Sequence, residues 1–269
     1  MVVDAANVAA PKRTLFQRSR KPQPSVEPVC EHLFRPLAHL VVLALLPLRV
    51  APPLVVAAGA LTGLGAAGAL ARGHLIEAAL LLQLKTVLDN ADGQLARASG
   101  RVSVFGRYLD SESDLLVNAA VFAALGYEAH APALAAAGFA LMTLLLGINF
   151  NLKHLHRVAS GATAETMPAA TGAAAALARI YALVYAPQDR LLERFAAWRV
   201  RRLDVDPRAY HDTGTLAVVA WFGLSTQLFA FGLFLAAGAP LAFCWLLVGL
   251  GTLLVPLELR RGRNSKRSH

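Results

Sequence analysis

Residues 89 to 114 read DNADGQLARASGRVSVFGRYLDSESD, and they set four aspartates, Asp89, Asp92, Asp110 and Asp114, between long runs of Ala, Leu and Val. On a helix advancing about 100° per residue, Asp89 and Asp92 differ by roughly 60° and project from one face. Asp110 and Asp114 are four apart and likewise share a face. The connection between the two stretches, 98 to 104, is short enough to make the helices antiparallel neighbours. The spacing therefore predicts that all four carboxylates converge near one end of a helix pair.

Working outward, the surroundings of this stretch are apolar. The chain has 269 residues, is 56% hydrophobic and only 16% charged, and its mean hydropathy is +0.50. The bilayer is the solvent this implies, and the fold class is all-α and polytopic. A net charge of +9 suggests nucleic acid at first sight, but several twenty-residue apolar runs exclude that reading and membrane topology explains the basicity. Cys30 and Cys244 lie far apart, with neither metal-ligand spacing nor a disulfide framework.

Six segments qualify as spans or near-spans: 52–71, 74–91, 105–127, 131–150, 215–236 and 239–257. At about 1.5 Å per residue each crosses or nearly crosses roughly 30 Å of hydrocarbon. Lys and Arg gather in the N-terminal arm, the 97–107 turn, the 153–210 stretch and the tail from Arg260, with Arg72 opposite and Lys85 inside the second span. That asymmetry places both termini and the aspartates on the cytoplasmic face of the cell membrane. Residues 1–30 read as a basic, flexible arm and 31–49 as an amphipathic helix along the interface. One membrane domain, 31–258, follows, containing a cytoplasmic segment, 153–213, and ending in a basic tail, 259–269. Within that segment the apolar run 169–187 has basic flanks on both sides and Arg179 in its middle, so it is expected to lie along the membrane rather than cross it.

Four carboxylates this close repel one another and lose hydration, at several kcal/mol per uncompensated ion. Divalent cations remove the conflict. Oxygen-only ligands without His or Cys select Mg²⁺ first, with Mn²⁺ or Ca²⁺ behind it, over zinc or copper. Four aspartates can hold two such ions, and a two-metal clamp suits displacement at phosphorus. Gly93 and Gly106 interrupt helices at a cost of about 1 kcal/mol each relative to alanine. Their missing side chains would let a phosphate chain approach the ions. Ala96 extends that small-residue surface, and Arg97 is placed to neutralise phosphate oxygens.

The pattern D-x-x-D-G-x-x-A-R, eight residues, then G-x-x-x-D-x-x-x-D resembles the signature of the CDP-alcohol phosphotransferases at every defined position. The matched residues are Asp89, Asp92, Gly93, Ala96, Arg97, Gly106, Asp110 and Asp114. The resemblance implies transfer of a substituted phosphate from a CDP-alcohol to an alcohol acceptor with release of CMP, in phospholipid synthesis. It implies metal ligation by Asp89, Asp92, Asp110 and Asp114, with Asp114 also the base on the acceptor hydroxyl, and a CDP site lined by Gly93, Ala96, Arg97 and Gly106. It also implies a homodimer. CDP-diacylglycerol with a small polar acceptor is the first expectation for the substrates, and a small CDP-alcohol with a lipid acceptor the second. One departure stands out. Many members carry Pro-Asn, then Thr three residues after the Asn, where this chain has Pro52, Pro53 and Val56.

Other residues admit two readings each. Lys85 lies four residues before Asp89 on the same face and either pairs with the site or snorkels away, the second being favoured. Asn118 continues the Asp110–Asp114 stripe, lining the cavity or bonding a neighbouring helix. Glu112 points away and is left out of the site. Asn149, Asn151, Lys153, His154, His156 and Arg157 suit an acceptor phosphate, though an ordinary basic flank explains them better. Arg190 to Arg202 read as a surface for anionic lipid. Two rival functions are weighed: an intramembrane prenyltransferase, which lacks this two-part pattern, and a divalent-cation transporter, which would spread its acids along a pore.

Overall fold

A computed structural model describes residues 14–20, 23–162 and 170–267. It is helical throughout, with no strand among the described residues. A short helix, α1 (Leu15–Ser19), is capped reciprocally by Thr14 and Gln17. A π-helical turn, Cys30–Phe34, runs into α2 (Arg35–Leu45). The long elements follow: α3 (Pro52–Ala71), α4 (Leu75–Ala98), α5 (Val104–Glu128) and α6 (Pro132–Ala159). Next come α7 (Ala173–Val184), α8 (Ala186–Leu203), α9 (Pro207–Tyr210) and α10 (Thr213–Val219). After a 3₁₀ turn (Ala220–Phe222), α11 (Leu224–Ala236) and α12 (Pro240–Arg267) complete the chain.

Four stretches are both long and apolar enough to cross a membrane: Pro52–Ala71, Pro132–Ala159, Pro207–Ala236 and Pro240–Ser265. The chain is thus a helical membrane protein. Helices α4 and α5 have the length to cross, at 24 and 25 residues, but the aspartate stretch makes their facing ends charged. The apolar run within 169–187 becomes the 12-residue α7, too short to cross. Helix α12 runs on through Arg267, and Glu258 pairs with Arg261 less than one turn on. Of the expected basic arm, 1–13 and 21–22 lie outside the described residues. Residues 15–19 form α1, whose Ser19 is fully buried against α4.

Helix α3 packs along both α4 and α5; α4 also carries α2 and α11 on its other sides, and α5 is backed by α6 and α7. Phe122 sits at the centre of the core, against Phe139, Phe231 and Phe243, the last two stacked at 4.6 Å. Many large apolar side chains face outward, among them Leu54, Leu61, Leu80, Leu116, Leu233 and Trp245. In water such a belt is an aggregation liability; in lipid it is the expected surface. The α4–α5 turn is made by Gly100 in the left-handed region, φ 68°, a conformation that costs glycine least. Ser103 then caps α5 by accepting from the Gly106 N–H at 3.0 Å. This turn brings the aspartate ends of α4 and α5 side by side.

Candidate metal centre

The second half of α4 and the first half of α5 face each other across the end of the bundle. Carboxylate oxygens of Asp89, Asp92 and Asp110 all lie within 4.8 Å of one another. Asp92 is only 5% exposed, and its Oδ2 is buried without a hydrogen-bond partner among the described residues. A buried carboxylate oxygen left unsatisfied beside two further carboxylates is a costly arrangement unless a cation completes it. The donor set is oxygen only, which fits a hard divalent ion such as Mg²⁺ or Mn²⁺.

Asp114 stands apart from this trio. It pairs with Lys85, whose Nζ also donates to Asp89 Oδ1 at 3.0 Å. Lys85 is 2% exposed, so the amine neither snorkels nor pairs elsewhere: it bridges the two helices inside the site. Lysine's reach and the direction of its head are not fixed by spacing, which is why the favoured expectation went the other way.

A cavity of about 540 Å³ opens beside the trio and is lined by Asp89, Asp92, Asp110 and by Gly93, Ala96, Arg97 and Gly106. Every expected nucleotide-site residue is therefore on its wall; Asp114 is not. Gly93 has a use beyond clearance for phosphate. A side-chain carbon there would lie 3.2 Å and 3.4 Å from the two terminal nitrogens of Arg97, so the absent side chain is the seat of the guanidinium. Arg97 Nε donates to the Ser19 carbonyl at 2.5 Å, which ties α1 to the site. At Gly106 the added carbon would meet Ser103 Oγ at 3.0 Å, crowding the cap of α5. Pro52, Pro53 and Val56 also line the cavity, so α3 does face it, with apolar groups where the resemblance expected Asn and Thr.

Spacing missed other residues of the cavity wall, among them Glu27, Cys30, Arg35, Asn90, Gln94 and Ser225. Glu27 accepts from the Thr226 N–H at 2.7 Å and from its hydroxyl at 2.8 Å, capping the start of α11. Its carboxylate occupies the space a side chain at Gly223 would fill. Burial pushes the Glu27 carboxyl up, and the two Thr226 bonds only partly offset that. Asn90 links Ser225 and Cys30, donating to the first at 3.1 Å and accepting from the second at 3.1 Å. Gln94 donates to the Arg35 carbonyl at 3.1 Å and accepts from Ser19 at 3.4 Å. Glu27, Cys30 and Arg35 lie in or before α2, Asn90 and Gln94 on α4 and Ser225 on α11, and no single period links these scattered polar residues.

The remaining candidates separate. Asn118 is buried on α5. Glu112 is buried with both oxygens unpartnered among the described residues, on the side of α5 that faces α7. There Tyr108 and Tyr181 meet edge to face at 6.0 Å. Burial, then the charges of Asp114 and Glu112, push the neighbouring Tyr185 hydroxyl up, so it remains a donor. Of the cluster on α6, Asn151 donates to Asp189 at 2.6 Å and anchors α8. His156 meets the His211 carbonyl at 2.5 Å, and Asn149 keeps a buried Oδ1 without a partner among the described residues. Asn151 thus ties α8 to α6, and His156 ties the α9–α10 link to it.

The family model described as CDP-alcohol phosphatidyltransferase matches residues 40–205, more than half of the chain and all of the residues on α4 and α5. No curated protein and no solved structure matches it.

Proposed function

Because the chain belongs to the CDP-alcohol phosphatidyltransferase family, whose members transfer a phosphatidyl group from a CDP-alcohol in phospholipid synthesis, we propose that the cavity beside Asp89, Asp92 and Asp110 is where that transfer takes place. The observation that carries this reading is the convergence of three carboxylates within 4.8 Å on a cavity whose wall also holds Gly93, Ala96, Arg97 and Gly106. One or two divalent cations held by the aspartates, Mg²⁺ by preference, would neutralise the charge that builds on the donor's pyrophosphate.

The chain's own residues do the rest. Arg97, fixed at Nε by Ser19, turns its remaining donors to a pyrophosphate oxygen. Gly93 and Ala96 leave α4 bare enough for the pyrophosphate to lie against it. Asp114 is held by Lys85 on the far side of Asp89 and off the cavity wall. In this reading it swings from Lys85 toward the cavity to take the proton from the acceptor hydroxyl as the acceptor oxygen attacks the phosphorus that carries the lipid, and CMP departs. The donor in this reading is CDP-diacylglycerol and the acceptor a small polar alcohol. All of α3 to α6, α10–α11 and α12 cross the membrane, and the cavity faces the cytoplasm with the basic ends of the chain.

The test is release of CMP from CDP-diacylglycerol by the purified protein in lipid with Mg²⁺ and a panel of acceptors: inositol phosphate, glycerol phosphate, serine and inositol. Acceptor-dependent CMP that disappears in Asp110→Asn supports the reading and identifies the acceptor class. Folded protein that releases none with any acceptor overturns the choice of donor and acceptor.

A further inference from the structure

A second cavity, of about 480 Å³, lies between α6, α8 and α12. It shares no lining residue with the aspartate cavity and is built from other helices. It nonetheless lies at the same end of the bundle. Helix α11 starts beside the aspartate cavity at Ser225, and α12 returns antiparallel to bring residues 254–261 back to that end. Its walls are apolar, formed by Leu152 and Leu155 of α6, Leu192, Phe195 and Trp198 of α8, and Val255 of α12. Phe195, Trp198 and Val255 are 43%, 50% and 64% exposed, so the cavity opens sideways toward the surrounding lipid.

One end is charged. Glu258 accepts from Arg199 Nε at 2.7 Å, from Arg261 Nη1 at 3.0 Å and from the Tyr210 hydroxyl at 2.6 Å. A single carboxylate thus serves two guanidinium groups, and the end keeps one net positive charge. Arg194 and Arg202 on α8, with Arg260 and Arg263 on α12, lie exposed on the helices that form it. An apolar slot with a cationic end, open to lipid, matches a long hydrocarbon chain carrying an anion. A phosphodiester oxygen also suits a guanidinium fork in a way no purely apolar partner can.

We infer that this cavity is a binding site for an anionic phospholipid of the bilayer, one acyl chain lying between α8 and α12 and the headgroup phosphate meeting Arg199. The buried Arg261, whose nitrogens meet the Tyr210 carbonyl, Glu258 and His211, holds Glu258 in place. It is separate from the transfer site and does not depend on the reaction proposed there. It also gives the Arg190–Arg202 stretch a specific use.

The chain has three tryptophans, and Trp198 forms part of the cavity wall. The full chain carrying Trp221→Phe and Trp245→Phe leaves Trp198 as the single emitter in phosphatidylcholine vesicles. Phosphatidylglycerol brominated on its acyl chains is titrated against brominated phosphatidylcholine. Half-maximal quenching of Trp198 is expected at about fivefold lower mole fraction for the anionic lipid, the ratio that one charge near a membrane surface confers. Arg199→Gln removes the preference and Arg199→Lys keeps it. Leu192→Phe narrows the slot and weakens quenching by both lipids, which reads the site even if Arg199→Gln does not fold. Equal quenching by the two lipids, or a preference that survives Arg199→Gln, overturns the assignment. So does the absence of quenching, the result expected if a second copy of the chain covers this face.

Discussion

Lys85 and Asp114 form an ion pair across α4 and α5, and the same amine bonds Asp89 at 3.0 Å. One buried cation therefore connects the carboxylate outside the trio to a member of it. Four carboxylates, Asp89, Asp92, Asp110 and Asp114, face two fixed cations, Lys85 and Arg97. The excess of two negative charges in this set equals the charge of a single divalent ion. Lys85→Met strips this internal compensation. Without divalent cation the variant should lose about 3 to 5 kcal/mol of stability, as when one partner of a buried pair is removed. Added Mg²⁺ should restore much of that loss, because the ion then has more unpaired charge to meet. Thermal melts with and without Mg²⁺ check this, and an identical loss in both conditions rules it out.

Asp92→Asn has the opposite sign without metal. Its Oδ2 lacks a partner among the described residues and its nearest carboxylates are of like charge, so a neutral amide relieves repulsion and the metal-free variant should melt above the parent. The parent should gain about 2.7 kcal/mol when Mg²⁺ stands a hundredfold above its Kd, whereas the variant gains little. CMP release should fall by at least about a hundredfold, of the size seen when a transition-state charge stabiliser is lost. A variant that melts lower without metal yet keeps the full Mg²⁺ response would show that Asp92 is structural.

Gly93→Ala tests the seat of Arg97. The new carbon arrives 3.2 Å from one guanidinium nitrogen, and the flexible arginine head yields before the helix does. The expected outcome is a rise of about tenfold or more in KM for the CDP donor with a smaller effect on kcat, since the lost contact serves binding more than chemistry. The Arg97–Ser19 bond should weaken with it, so limited proteolysis around residues 14–20 should speed up in the variant. A normal KM would mean that Arg97 does not contact the donor.

How far the fold was legible can be judged from these same residues. The starts of α3, α4, α5, α6 and α12 fall close to where hydropathy and the Gly and Pro positions put them, because a span is a local property of composition. The trio was legible for the same reason, since a three- or four-residue step on a helix fixes a face. The helix ends were less legible, since α4, α6 and α12 continue to Ala98, Ala159 and Arg267 once polar residues take over. The expected span 215–236 is broken into α10, a 3₁₀ turn and α11. What spacing could not supply were contacts made by the N-terminal residues across great sequence distance. Ser19 reaches Gln94 over 75 positions and Glu27 reaches Thr226 over 199. No periodicity records such pairs, so a stretch rich in Pro and Arg read as a loose arm although its Ser19 and Glu27 are packed against the site. Asp114 illustrates a finer limit. Its helical face was correct, but whether it met the trio or Lys85 depended on rotamers that spacing leaves open.

Glu27→Gln separates the cap from its charge. An amide oxygen can still accept from Thr226, while the buried negative charge disappears. Burial raises the Glu27 carboxyl above its ordinary value, so the folded protein holds the proton more tightly than the unfolded chain does. The parent should accordingly be most stable below the ordinary glutamate range and lose stability as pH rises from there through the raised folded value. The variant should lack that decline and melt a few degrees higher at pH 8, with the difference closing near pH 4. A lower melting point at pH 8 would mean that the ionised form is required by Lys153 or Arg35, whose charges act on it from nearby.

Val56→Thr asks what the apolar wall on α3 does. Val56 is 7% exposed and lines the cavity beside Pro52 and Pro53, at the position where many family members are expected to carry threonine. Valine and threonine have nearly the same shape, so the substitution leaves packing intact. In an empty cavity the buried hydroxyl should cost about 1 to 3 kcal/mol if it finds no partner. With a CDP donor bound it gains one. A hydrogen bond of about 0.5 to 1.5 kcal/mol corresponds to a two- to tenfold lower KM for the donor. If KM falls by that amount, the α3 wall touches the nucleotide and this chain binds it more weakly there than its relatives do. If KM is unchanged while the variant is destabilised, the donor is held from the α4 side and by the Glu27–Asn90–Ser225 wall, and the apolar α3 face serves only to close the cavity.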